Sequence, residues 1–206
     1  PKGFYFNDFA VYNHLKALNY EGELIYSPET ILTNAMDIEV LLELVDRVVL
    51  SKELTLEEIT TLMNLFPNKI EAFGLGYGLM SFSKRPLVRN YLDEIKMERD
   101  VLNQTNLVIK EYKRDQYFPI LEENQGTSIF LETVLFPKHE QLLMKDSSCF
   151  GLHYDDCMLK EDDFIQLVDL LTDDTVSFDD AQAQTSLRLG QAYYYRKTNM
   201  SKEEGK

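Results

Sequence analysis

Short apolar runs alternate with helix-like segments through the first third of the chain. Strand-like runs begin near Phe4, Leu24, Arg47 and Ile70, which gives a repeat of 20 to 23 residues. The segments between them carry apolar residues three and four positions apart, the spacing of one helical face. Such alternation predicts an α/β fold in which parallel strands are joined by right-handed helical crossovers. The repeat fits a β/α barrel and an open doubly wound sheet equally well.

Capping residues indicate where the helices begin. Asp8 and Asp37 are each predicted to accept a hydrogen bond from a backbone N–H at a helix start. Thr55 and Glu58 have the spacing of a capping box, in which each side chain satisfies a backbone donor of the other residue. The predicted buried face of the first helix is Val11, Leu15 and Leu18.

The stretch Ile70–Leu92 (IEAFGLGYGLMSFSKRPLVRNYL) separates this regular part from the rest of the chain. It starts as the fourth strand, and its glycines at positions 74, 76 and 78 predict a turn. A dinucleotide-binding loop needs G-x-G-x-x-G before a helix, so this G-x-G-x-G spacing does not predict one. The turn leads into the basic residues Lys84, Arg85 and Arg89.

The regular alternation ends after this stretch. Three strand-like runs predict a small antiparallel meander inserted late in the α/β pattern. A further strand and a helix follow it, and Asp162 or Asp163 is predicted to cap that helix. The predicted runs are 107–112, 117–121 and 127–131 in the meander and 149–154 in the further strand.

Composition argues against several classes of function. The formal net charge of −14 opposes a broad nucleic-acid-binding surface, because phosphates would be repelled. No apolar run approaches the roughly 18 residues of a membrane span, and the first residues lack a signal-peptide pattern. Cys149 and Cys157 are the only cysteines, and we expect free thiols. A cytoplasmic protein with no membrane partner is therefore predicted.

The basic residues after the glycines are the first candidate substrate-binding group. Lys84, Arg85 and Arg89, with Asn90 in the same run, are suited to bind a carboxylate or phosphate. Arg offers a planar fork that donates two hydrogen bonds to such a group. The alternative is that these residues form the solvated start of a helix.

Two further groups follow predicted strands. Ser51 and Glu53 supply polar groups after the third strand, although Glu53 is better explained as a first-turn residue near the helix dipole. His153, Asp155, Asp156 and Cys157 have the chemistry of metal ligands or of a Cys/His pair. Ordinary polar surface is the favoured interpretation, so no metal and no cofactor is predicted.

Four segments together resemble the collagenase-like U32 peptidase family. They are VDRVVLSKELTLEEI (Val45–Ile59), Glu71-x-Phe73-x-x-Gly76, SKRPLVRNYL (Ser83–Leu92) and YFPILEENQGTSIFL (Tyr117–Leu131). The similarity runs from about Phe4 to Leu171. It implies a β/α barrel with its site at the carboxyl ends of the strands. The chain starts without Met, three residues before a strand, so we expect the first strands of such a barrel upstream.

The resemblance also sets the domain prediction. Residues 1–172 are predicted as a partial β/α barrel domain. Residues 173–206 are predicted as a C-terminal tail with a helix near 181–195 and a disordered end.

The chain departs from the family at its signature cysteines. Those positions are Leu79 and Pro86 here, so the iron–sulfur cluster of some relatives is not expected. No catalytic nucleophile can be assigned, and whether the chain is an active enzyme is left open.

Three functions remain open. The first is a peptidase-like hydrolase. The second is a subunit of a tRNA wobble-uridine hydroxylation system that acts with a second U32-like subunit, because SKRPLVRNYL resembles those relatives. The third is an inactive barrel that binds a partner. The substrate, peptide or RNA, is unknown.

Overall fold

The computed structural model describes residues 2–28, 31–98, 107–110, 112, 116–138, 149–151 and 158–196. Backbone contacts divide the chain into two compact units. The first comprises Pro1–Gly74, Pro137–Leu152 and Gln191–Lys206, and the second comprises Leu75–Phe136 and His153–Gly190.

Ten strands and six helices lie in the part of the chain given above. In chain order they are β1 (Gly3–Phe6), α1 (Phe9–Ala17), β2 (Glu23–Tyr26), α2 (Ala35–Leu42), β3 (Arg47–Val49), α3 (Leu56–Leu65), β4 (Ile70–Phe73), β5 (Gly76–Ser83), α4 (Leu87–Glu94), β6 (Val108–Lys110), β7 (Tyr117–Glu123), β8 (Gly126–Leu135), β9 (Cys149–Gly151), α5 (Glu161–Thr172), α6 (Phe178–Gln184) and β10 (Leu189–Gly190). None of these helices is long and apolar enough to cross a membrane.

The first unit contains a parallel sheet in the order β1-β2-β3-β4-β9. Its first four strands lie where the sequence repeat predicts them, and every pairing is parallel. The prediction of a parallel α/β sheet is therefore confirmed. Because strand order follows chain order from β1 to β4, right-handed crossovers put α1, α2 and α3 on one face. The strands that the structure describes do not close into a barrel.

The last strand of this sheet is shorter in the structure than the predicted run. β9 covers the first three residues of the strand predicted at 149–154 and pairs with β4. Positions 152–154 lie outside the described residues.

The helix-covered face of the sheet packs against α1 through aromatic rings. The ring centroids of Phe6 and Phe9 lie 6.1 Å apart. Leu15 is buried as predicted, whereas Val11 and Leu18 are exposed, contrary to the predicted face. The reason is that α1 lies beside the edge strand β1, so the sheet covers only one side of the helix.

Of the four predicted helix starts, those of α1 and α3 are confirmed. The Asp8 carboxylate accepts a hydrogen bond from the first turn of α1, and Thr55 and Glu58 form the predicted capping box of α3. The prediction for α2 was wrong, because Asn34 is its N-cap and accepts from the Asp37 N–H at 3.0 Å. The two residues stand three positions apart, and either can cap a helix, so the sequence does not decide between them.

Replacing Thr55 by Ala is expected to destabilise the chain by about 1 kcal/mol. The Thr55 Oγ1 accepts from the Glu58 N–H, and the Thr55 N–H donates to the Glu58 carboxylate at 2.8 Å. The substitution leaves the Glu58 N–H without its acceptor. Urea unfolding followed by circular dichroism measures the change. Thr61→Ala, in the exposed middle of the same helix, is the control and should change stability by less than about 0.5 kcal/mol.

The second unit is built on an antiparallel sheet. β6 pairs with β7, β7 with β8, and β8 with β5, all antiparallel, while β10 pairs with β8 in parallel. The predicted meander is therefore confirmed as β6, β7 and β8.

The glycine-rich segment is a strand, which corrects the predicted turn. β5 pairs with β8 with register shifts on both sides of Leu79. Gly76 has a φ of 139°, a conformation that side-chain-bearing residues rarely adopt. The glycines thus permit an irregular strand. A local sequence pattern could not predict that this segment pairs with β8, which lies much later in the chain.

The core of the second unit joins β8 to α5 and α6. Its buried members include Leu75, Val134, Phe136, Leu167, Leu171 and Ala181. The N-cap of α5 is Lys160, not the predicted Asp162 or Asp163, which lie in the first turn where they favour the helix dipole. Burial, with a smaller contribution from the Asp163 carboxylate, raises the pKa of the Tyr77 hydroxyl.

The helix near the C-terminus is shorter than predicted. α6 ends at Gln184, and Leu189–Gly190 then pair with β8 as β10. Hydrogen bonds from Ser177 at the start of α6 lower the pKa of the exposed Asp180 carboxyl. The end predicted to be disordered, SKEEGK at 201–206, lies outside the described residues.

Candidate functional site

Polar side chains line the face of the parallel sheet opposite its helices. Tyr5 and Arg47 are both in register with Ile25, and Glu71 is in register with Val49. Residues in register share a face, and alternate residues of a strand share it too. Tyr5, Arg47 and Glu71 therefore lie on the same face, whereas Phe6, which packs against α1, lies on the other.

These residues form a hydrogen-bonded group, here called the Glu71 network: Tyr5, Glu23, Arg47 and Glu71. The Tyr5 hydroxyl donates to Glu71 Oε2 at 2.8 Å. Arg47 Nη1 lies 3.7 Å from the same oxygen, and Arg47 Nη2 lies 3.0 Å from Glu23 Oε2. The Glu71 side chain is only 2% exposed, whereas Tyr5 is 52% exposed. A buried carboxylate is thus hydrogen-bonded to a tyrosine that is exposed as a residue.

The hydrogen bond between Tyr5 and Glu71 joins two strands that are not neighbours in the sheet. Neighbouring strands are about 4.8 Å apart, so β1 and β4 would be about 14 Å apart in a flat sheet. A Tyr and a Glu side chain pointing away from a flat sheet cannot bridge that gap. Because they are in contact, we infer that the sheet curls towards the face that carries the Glu71 network.

The members of the network differ in where they lie along their strands. Glu23 and Arg47 are the first residues of β2 and β3, at the amino ends of the parallel strands. Side chains at that end of a β/α sheet usually serve stability, whereas reacting groups lie towards the carboxyl ends. The Arg47 guanidinium is therefore suited to orient Glu71. Tyr5 is level with Arg47, whereas Glu71 is level with Val49, two residues nearer the carboxyl ends. Glu71 is the group best suited to chemistry, since a carboxylate can bind a cation or transfer a proton.

Ser51 and Glu53 follow β3, as the sequence predicts. Ser51 is buried, its N–H donates to the Leu32 carbonyl at 3.0 Å, and its hydroxyl accepts from the Glu53 N–H at 3.4 Å. Glu53 is exposed and precedes the α3 N-cap by two residues, so it is not the first-turn residue that the sequence suggested. The hydrogen bonds of Ser51 shape the loop after the strand.

The predicted basic group surrounds the start of α4. Ser83–Pro86, here called the basic turn, carries the exposed side chains of Lys84 and Arg85. Asn90 is also exposed. Arg89 points elsewhere, because its Nε lies 3.6 Å from Glu122 Oε1, so a carboxylate of the same chain already accompanies this predicted anion-binding residue.

Three residues of the β7–β8 hairpin hold this region, and residue-by-residue reading of the sequence did not single them out. They are Glu122, Gly126 and Thr127, here called the hairpin clamp. The Val88 N–H donates to Glu122 Oε2 at 2.7 Å, and the Leu87 N–H donates to Thr127 Oγ1 at 2.9 Å. The available signal was the segment YFPILEENQGTSIFL, which contains all three residues and resembles a family segment.

The possible metal ligands His153, Asp155, Asp156 and Cys157 lie outside the described residues. Within the ranges that the structure does describe, no group of three or more His, Cys, Asp or Glu side chains could hold a metal ion.

Comparison with known proteins gives one family. The sequence model of peptidase family U32 matches residues 1–130, more than half of the 206 residues. The match includes the Glu71 network, the basic turn and the hairpin clamp, and it ends before the C-terminal limit expected from the resemblance. No curated protein and no solved structure matches the chain. The chain belongs to peptidase family U32.

Proposed function

We propose that the chain is a hydrolase that cleaves peptide bonds at the Glu71 network. The observation that carries this proposal is the 2.8 Å hydrogen bond from the Tyr5 hydroxyl to the buried Glu71 carboxylate. Glu71 is also the acidic residue of the Glu71-x-Phe73-x-x-Gly76 segment that resembles the family signature. Family membership supplies the peptide as substrate class.

The proposed chemistry is general base catalysis. Glu71 takes a proton from a water molecule as that water attacks the peptide carbonyl, and returns it to the leaving amine as the C–N bond breaks. Tyr5 holds the carboxylate by its hydrogen bond and contacts the substrate through its exposed ring. Arg47 acts as a positioning residue, since its guanidinium approaches the oxygen that accepts from Tyr5.

The proposed setting is a β/α barrel whose inner face carries the network. Two observations support it. Strand order follows chain order from β1 to β4, without the reversal that marks a doubly wound sheet. The hydrogen bond between Tyr5 on β1 and Glu71 on β4 also fits a sheet that curls towards the face carrying the Glu71 network, as the inner face of a barrel does. A cytoplasmic location remains part of the proposal.

Peptide cleavage by the purified chain tests the proposal. Denatured collagen and a mixture of synthetic peptides are incubated with the chain, and new amino termini are identified by mass spectrometry. We expect products whose amount rises with time and with chain concentration. Intact substrates after long incubation would overturn the hydrolase proposal and leave the subunit of a tRNA hydroxylation system and the partner-binding barrel as the remaining functions.

The second candidate is a subunit of a system that hydroxylates the wobble uridine of tRNA together with another U32-like chain. The observation in its favour is the run Ser83–Leu92, whose Lys84 and Arg85 are exposed. The test is mass spectrometry of tRNA from cells with and without the gene, together with identification of proteins that co-purify with the chain. Unchanged uridine modification and no U32-like partner would exclude this candidate.

A further inference from the structure

The N-terminus of α4 is capped by the hairpin clamp rather than by a local residue. Its N-cap, Pro86, makes no side-chain capping hydrogen bond. The first three amides of the helix find acceptors on β7 and β8. The Leu87 N–H donates to Thr127 Oγ1, the Val88 N–H to Glu122 Oε2, and the Arg89 N–H to Glu122 Oε1 at 3.3 Å. No amide of the first turn depends on solvent for its acceptor.

The same clamp also holds the basic turn that precedes the helix. Thr127 Oγ1 lies 2.8 Å from the Arg85 carbonyl and 2.9 Å from Glu122 Oε2, so its single proton is directed at one of two acceptors. A Cβ at Gly126 would lie 2.2 Å from the Ser83 carbonyl oxygen, which means that the hairpin backbone approaches the turn closely. The turn is therefore fastened on both sides of Pro86.

The clamp also determines which cations remain available. The Glu122 side chain is 1% exposed and accompanies Arg89. Lys84 and Arg85, in contrast, form no ion pair with any residue in the described ranges. Two adjacent cations thus project from a fixed backbone in a chain of net charge −14.

We infer that Glu122 and Thr127 are positioning residues that hold Lys84 and Arg85 to bind a carboxylate of a peptide. This inference rests on the proposed peptide chemistry. A guanidinium held at a fixed place can donate two hydrogen bonds to one carboxylate. The overall negative charge disfavours a polyanion such as RNA, whose many phosphates would be repelled, more than a peptide with one or two acidic residues.

Binding of a matched pair of peptides tests the inference. One peptide carries two Glu residues and the other carries Gln at the same positions, and fluorescence anisotropy measures their affinities. We expect the acidic peptide to bind at least about tenfold more tightly, since charge-assisted hydrogen bonds are the stronger kind. The double variant Lys84→Gln/Arg85→Gln should lose this preference with an unchanged melting temperature, because both side chains are exposed.

Substitutions at Thr127 separate positioning from capping. Thr127→Val keeps the shape but removes the hydroxyl, and should weaken the preference for the acidic peptide, whereas Thr127→Ser should restore it. The Thr127→Val variant could instead have a lower melting temperature and an unchanged preference for the acidic peptide. The clamp would then only cap the helix, and the inference would be overturned. Equal binding of the two peptides, or tighter binding of a single-stranded RNA oligonucleotide that needs Lys84 and Arg85, would overturn it as well.

Failure of this inference is distinguishable from failure of the proposed hydrolase. Glu71→Gln should lower cleavage by about a hundredfold or more and keep the acidic preference. The Lys84→Gln/Arg85→Gln variant should lose the preference in the anisotropy measurement, which reports binding alone and does not depend on cleavage.

Discussion

Replacing Glu71 by Gln is expected to lower kcat/KM for peptide cleavage by about a hundredfold or more, the usual contribution of a general base. Gln has nearly the same size and can still accept the hydrogen bond of the Tyr5 hydroxyl, but its amide cannot take a proton from water. Tyr5→Phe should cost less, about tenfold, because it removes one hydrogen bond to the carboxylate and leaves the base in place. Initial rates of cleavage measure both effects.

The matched control is Tyr12→Phe. Tyr12 lies on α1, where its ring packs beside Phe6 on the helix-covered side of the sheet, so the same hydroxyl is removed away from the network. We expect wild-type rates for this variant. Cleavage by Glu71→Gln at the wild-type rate would contradict the assignment of Glu71 as the base. A loss of rate that only parallels a loss of folded protein in the melting curve would do so as well.

Local sequence patterns were sufficient to predict the elements whose structure is determined by their own residues. The strands near Phe4, Leu24, Arg47 and Ile70 and the capping box of Thr55 depend on residues close in sequence, and all are present. The meander was also predictable, because a polar turn before Gly126 separates its last two strands.

Features that depend on contacts between residues far apart in the sequence could not be predicted from those patterns. The segment from Gly76 looks like a turn by composition, yet it is a strand because β8 offers it a partner. The Glu71 network has the same origin. A period of two shows that Tyr5 and Glu71 each lie on one face of a strand, but only the strand order and the curvature of the sheet bring them into contact.

The candidate site likewise contains residues that the sequence could identify and contacts that it could not. The sequence found Lys84, Arg85 and Arg89 because clustered charges are visible in a linear chain. The sequence could not show that Arg89, unlike Lys84 and Arg85, lies beside a carboxylate, because Glu122 is 33 positions away from it in the chain. The acceptors of the α4 amides could not be predicted either, because Pro86 gives no local sign of a cap that comes from another strand.

The second large effect is expected on stability, from Glu122→Ala. This change leaves the Val88 and Arg89 amides without their acceptor and removes the carboxylate beside the Arg89 guanidinium. Each unsatisfied amide costs about 1–3 kcal/mol. Water can reach part of Arg89, so we expect a total of about 2–4 kcal/mol. Hydrogen exchange of the α4 amides is the direct measurement, because it reports local opening of this helix.

Two further variants identify the cause of the loss. Glu122→Gln keeps an oxygen that can accept from the Val88 N–H but removes the charge, so it should cost about half as much as Glu122→Ala. Glu123→Ala alters the exposed neighbour on the opposite face of β7 and should change protection by less than about 0.5 kcal/mol. If Glu122→Ala left the Val88 and Arg89 amides as protected as in the wild type, the carboxylate would not be their acceptor in solution. The cap of α4 would then have to come from water or from the turn itself, and Thr127 would remain as the hairpin's one contact with the helix amides.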